Sequence, residues 1–115
     1  MSADPTSGRA AAGPPPRTLS LLLTHGPDSA DARRAARLLA AAVGQGIVPR
    51  LFLMAGGVAN AERGPLVPWL GRMEVTVCAV NAVAAGMVPL PGVRLGSQHD
   101  HMVQVTTSDR VVAFA

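Results

Sequence analysis

Residues 18–54, "TLSLLLTHGPDSADARRAARLLAAAVGQGIVPRLFLM", decide the fold. "TLSLLLT", 18–24, is a short continuous apolar run between a proline run and "HGPD". Such a run predicts a strand buried on both faces. In "DSADARRAARLLAAAV", 28–43, apolar residues fall at Ala32, Ala35, Ala36, Leu39, Ala40 and Val43, with the arginines off that stripe. The spacing predicts one helix. Asp28 or Ser29 can cap its start, and Gly44 and Gly46 can end it. "VPRLFLM", 48–54, reads as a second strand, with Pro49 at its beginning, where a missing donor is tolerable. Strand, helix and strand joined this closely predict a parallel pair with a right-handed crossover.

The rest of the chain extends that unit. "AGGVANAERGP" reads as a loop, and "PLVPWLG", 65–71, as a short helix set by proline. "MEVTVC", 73–78, is a third strand. "AVNAVAAGM" makes about two helical turns stopping near Gly86. "VRL", 93–95, is a candidate short fourth strand. "SQHDHMVQVTTSD" opens with Ser97-x-x-Asp100, the spacing of a capping box, and predicts a helix. "RVVAF", 110–114, is the last strand. Alternating strands and helices predict an α/β fold with a mostly parallel sheet and helices on both faces. Residues 1–16, "MSADPTSGRAAAGPPP", lack the apolar region of a signal peptide and read as an extended or disordered tail. Residues 17–115 then form one domain.

Composition removes several functions. The chain has 115 residues, 49% of them apolar, so a core can form. Aromatics are limited to Phe52, Phe114 and Trp69, which counts against base stacking and nucleic-acid binding. All ten basic residues are Arg, so no lysine can bind phosphate or form a Schiff base. No apolar run approaches the roughly 18 residues of a membrane span. The glycines of "HGPDS" and "AGGVAN" match neither nucleotide-binding fingerprint, and no G-x-S-x-G elbow is present. His99 and His101 are two apart and point in different directions on a helix, so no metal is expected there. The lone cysteine cannot form an internal disulfide, and a cytoplasmic setting is expected.

Ligands of open parallel sheets gather beyond the carboxyl ends of the strands. That edge collects His25 and Gly26 of "HGPDS", Gly57 and Asn60 of "AGGVANA", and Cys78. At a strand–helix junction, the Cys78 sulfur is expected near the free N–H groups of Ala79, Val80 and Asn81 and the positive end of the helix dipole. Both favour thiolate, the nucleophilic form. His25 is a candidate partner or proton relay. Cysteine is also often buried as a small hydrophobe, so pattern alone leaves both readings open.

Taken together, these segments resemble the DsrE/DsrF/TusD-like family of small sulfur-relay proteins. Residues 18–54 look like its opening βαβ unit, with Gly-Pro in the first loop. "FLMAGGVANA" is similar to its strand and G-V-x-N-A loop, matched by Gly57, Val58, Asn60 and Ala61. "PWLGRMEVTVCAVNAVAAGM" resembles the stretch with the sulfur-accepting cysteine, placing Cys78 there, and "LGSQHDHMVQVTTSDRVVAF" its closing helix and strand. Gly56 stands where Asp is common, and Ala59 where an aromatic is common. The resemblance spans about residues 18–115. It implies a three-layer α/β/α sandwich with about five strands, and a persulfide on Cys78. It also implies donor-persulfide and acceptor-thiol partner proteins, and a homotrimer or hexamer, with hetero-oligomers known in the family. Sulfur exchange of this kind needs no cofactor. The competing readings are a non-catalytic oligomer subunit or small-ligand-binding domain, in which Cys78 packs as core, and a flavodoxin-like nucleotide binder without a phosphate loop.

Overall fold

The structure, a computed structural model, describes residues 14–115. The expected tail therefore lies mostly outside the described residues. The strands are β1 (Thr18–Leu23), β2 (Val48–Leu53), β3 (Glu74–Cys78), β4 (Val93–Gly96) and β5 (Arg110–Phe114). The helices are α1 (Ala30–Gly44), α2 (Ala79–Ala84) and α3 (Gln98–Thr106). All five strands run parallel in the order β4-β3-β2-β1-β5. The chain steps one way through β1 to β4, then returns to place β5 on the far edge. With right-handed crossovers, the first three connections share one face and the last takes the other.

The packing follows that rule. Odd-numbered strand residues Leu21, Leu23, Leu51, Leu53, Val75 and Val77 meet Ala32, Ala35 and Leu39 of α1 and Ala82 of α2 in one aliphatic core. Ser29 caps α1 as expected, its Oγ accepting from Ala32 N at 3.0 Å. The buried stripe is Ala32, Ala35, Leu39 and Ala42, not the stripe through Ala40 and Val43, which are exposed. On a helix this rich in alanine, the sheet's position sets the rotation. Pro49 pairs with Leu19 one residue before the β3 ladder begins at Arg50, so its missing N–H removes no bond to β3.

The opposite face carries α3, and the seam is polar. Gln104 Nε2 donates to Glu74 Oε2 at 2.9 Å, and Arg50 donates to the Thr107 hydroxyl. The His101 ring stacks on Phe52 with centroids 4.7 Å apart. Ser97 and Asp100 close the expected capping box. The stretch read as a loop is a tight 3₁₀ segment, Ala55–Ala61, and the proline-set turn is a short 3₁₀ helix, Val67–Trp69. Among the described residues, no helix is long and apolar enough to cross a membrane.

Candidate functional site

Three loops converge at the carboxyl edge of the sheet, and side-chain amides tie them together. Asn60 is fully buried and joins two of them. Its Nδ2 donates to His25 O at 2.9 Å and to Gly57 O at 3.0 Å. Asn81 joins the third, its Oδ1 accepting from Ala55 N at 2.8 Å. Ala55 sits at φ 52°, a left-handed conformation that costs an alanine about 1 kcal/mol. The Asn81 bond offsets that strain. Gly57 allows the closest approach, because a Cβ there would collide with the Leu23 carbonyl oxygen and lie 2.8 Å from its carbon. Gly26 and Gly56 meet alongside, with a Cβ on Gly26 3.7 Å from Gly56 O.

Asn60 and Asn81 thus have architectural work here beside any contact with a ligand. Asn60→Leu is expected to cost about 2 kcal/mol, because two carbonyls lose their donors inside the fold. Urea unfolding measures this, and an unchanged midpoint would contradict the tie.

Cys78 stands where expected, as the last residue of β3 and the N-cap of α2. Its surroundings differ from expectation in two respects. The residue is only 7% exposed, and its side chain accepts no cap hydrogen bond from α2. Strand alternation explains the first. Cys78 shares its face with Thr76, not with Val75 and Val77, so it points away from the aliphatic core and towards the α3 layer. It is absent from that core cluster accordingly. Val80, two residues on, is 77% exposed.

His25 lies at the same edge but serves another group. Its Nδ1 is 2.6 Å from Asp31 Oδ2, and the ring is half exposed. That hydrogen bond, with Arg34 beside it, holds the Asp31 carboxyl below its ordinary value. β2 separates β1 from β3, so about two strand spacings, roughly 9–10 Å, divide the backbones of His25 and Cys78. The structure brings Gly26, Gly57, Asn60, Ala79, Val80 and Asn81 to one edge and leaves the His25 ring on Asp31.

The sequence does not show that α3 starts at this same edge. β4 ends at Gly96, paired with Cys78, so α3 begins beside the cysteine. Gln98 Nε2 reaches Met54 Sδ at 3.7 Å, across the end of β2. His101 follows one turn later with its Nε2 buried and unpartnered. The period-two alternation of "VTVC" was the signal, since it assigns Thr76 and Cys78 to the layer of the last helix.

Burial lowers the His101 pKa from its ordinary 6.5. The folded chain then holds the neutral ring where the unfolded chain binds a proton, so stability rises with pH across that interval. This contribution is complete above pH 6.5 and is lost as pH falls through the lower folded value. His101→Phe preserves the stack on Phe52 and should flatten urea midpoints just below pH 6.5. An unaltered slope would contradict a partly buried, neutral ring. Asp31, Asp100 and Asp109, each held below 3.8, lose their contributions only in more acid solution.

Among the described residues, no group of three or more His, Cys, Asp or Glu is arranged to hold a metal ion. No protein-family model matches the chain, and no curated protein is significantly similar in sequence. Among solved structures, the fold is similar to that of the crystal structure of the ychN protein from E. coli, with a TM-score of 0.74. The match covers 87% of this chain and 100% of that chain at 20% sequence identity. At that identity the likeness is one of fold.

Proposed function

We propose that this chain is a sulfur carrier or sulfurtransferase of the DsrE/DsrF/TusD-like kind, working through a persulfide on Cys78. The observation that carries the reading is the position of the chain's one cysteine. It ends an interior strand at the carboxyl edge, where open parallel sheets take their ligands, opens a helix of small residues, and turns away from the aliphatic core. The ordered resemblance over residues 18–115 and the fold shared with the ychN protein support it.

The chemistry balances without a cofactor. Cys78 thiolate attacks the outer sulfur of a donor persulfide. The donor's S–S bond breaks, a new S–S bond forms on Cys78, and the donor leaves as thiolate. An acceptor thiolate then attacks the terminal sulfur and releases Cys78 thiolate. No resolving cysteine exists in the chain, so donor and acceptor are separate molecules, in a reducing compartment such as the cytoplasm. The test is the intact mass of the full chain after incubation with polysulfide. The reading expects a gain of one sulfur, reversed by excess small thiol; an unchanged mass would overturn it.

The 7% exposure of Cys78 favours a second reading, a non-catalytic subunit in which this thiol only packs. Both readings include assembly into a homotrimer or hexamer, or into a hetero-oligomer. The α3 side of the molecule offers a surface for it, since Met102, Val103 and Val111 are each roughly half exposed there. Light scattering at micromolar concentration should find several copies together, and Met102→Glu with Val111→Glu should shift them towards monomer. A monomeric wild-type chain would remove this part of the proposal.

A further inference from the structure

The amino edge of the sheet, opposite Cys78, holds a cavity of about 330 Å³ lined by Arg17, Thr18, Leu19, Ile47, Asp109 and Arg110. Two arginines and one carboxylate meet there. The carboxylate is already engaged, with Asp109 Oδ2 accepting from Thr18 N at 2.8 Å and Thr18 Oγ1 at 3.1 Å. Those bonds, with the positive charges of Arg17 and Arg110 nearby, hold the Asp109 carboxyl below its ordinary value.

Neither arginine forms a salt bridge with a described carboxylate, whereas Arg34, Arg50, Arg63 and Arg94 do. Arg110 Nη1 donates to Asp109 O at 2.9 Å, which orients the guanidinium, and among the described residues no side chain engages its other donors. The local balance is one net positive charge. Leu19 and Ile47 supply the apolar part of the lining. Adjacent low-dielectric surface strengthens attraction between a guanidinium and an anion.

We propose that this cavity is a binding site for a small organic monoanion, a carboxylate whose apolar body covers Leu19 and Ile47 while its head meets Arg17 and Arg110. The volume lies at the small end of ligand pockets, which suits a short acyl chain. A phosphate dianion fits less well. It exceeds the local positive charge and leaves the aliphatic lining bare. The site is at the far edge from Cys78, so occupancy is separable from any sulfur chemistry and does not rest on it.

Calorimetric titration of the full chain at low salt tests this with three probes: octanoate, inorganic phosphate and octan-1-ol. Octanoate should bind saturably, at least about tenfold more tightly than either of the others, and weaken as salt is added. Arg110→Gln and Arg17→Gln should each lower its affinity about tenfold, and Arg110→Lys by less. Both side chains are exposed, so the variants should fold, and a circular dichroism melt verifies that. The proposal is overturned by phosphate binding as tightly as octanoate, by octanoate affinity unmoved in both Gln variants, or by no saturable binding.

Discussion

Cys78→Ala is expected to abolish sulfur uptake completely while the chain stays folded. No other thiol exists to substitute for it, so the loss is total rather than partial. The fold should tolerate the change because Cys78 lies outside the aliphatic core, and deleting one sulfur costs only about 1 kcal/mol. The measurement is intact mass after exposure to polysulfide, with thermal melting as the control. Added sulfur that persists in the alanine variant would refute a persulfide on Cys78. Cys78→Ser makes a sharper comparison. It keeps the shape of the side chain and replaces the sulfur with a more polar oxygen, so it should be equally inactive, with the melt reporting any cost of burying the hydroxyl.

Gly57→Ala is expected to be the most damaging conservative substitution in the site. The added methyl would press on the carbonyl carbon of Leu23 at 2.8 Å and the Thr24 Cα at 3.1 Å. Both are backbone atoms at the end of an interior strand, so no rotamer change relieves the contact. The cost should reach roughly 3 kcal/mol, the upper end for overpacking. At an m-value of about 1–3 kcal/mol per molar, the urea midpoint should fall by about 1 M or more. Gly44→Ala at the end of α1 meets nothing within 4 Å and serves as the control, with little change or slight stabilisation. Equal midpoints for the two variants would show that the Gly57 loop yields more readily than its packing implies.

The parallel α/β architecture was legible because its signals are local. "SLLL" and "LFLM" are short apolar runs flanked by proline and glycine turns, the pattern of buried strands, and Ser29 and the Ser97–Asp100 pair mark helix starts. Strand order was not legible. β5 lies beside β1 through contacts between residues about ninety apart, such as Asp109 with Thr18, and no local pattern encodes them. The rotation of α1 escaped for a different reason. Its alanines satisfy two stripes equally, and only the sheet selects Ala42 over Val43.

At the candidate site, the sequence places these residues at one edge of the sheet but does not carry their geometry. Asn60 and Gly57 read as pocket residues, and the packing and tethering contacts that the structure also gives them between loops carry no local sequence signal. The proximity of His25 to Asp31 depends on how the loop enters α1, which residue types do not reveal. The direction of Cys78 was within reach, because alternation along β3 separates it from Val75 and Val77.

The reactivity of the native thiol tests the central claim most directly. The 115-residue chain is treated with a small alkylating reagent from mildly acid to mildly alkaline pH, in buffer and in urea. If Cys78 is the sulfur-bearing nucleophile, one equivalent reacts in buffer near neutrality, at least as fast as in the unfolded chain. A thiol that stays unmodified until urea exposes it would contradict the account and leave Cys78 as a packing residue.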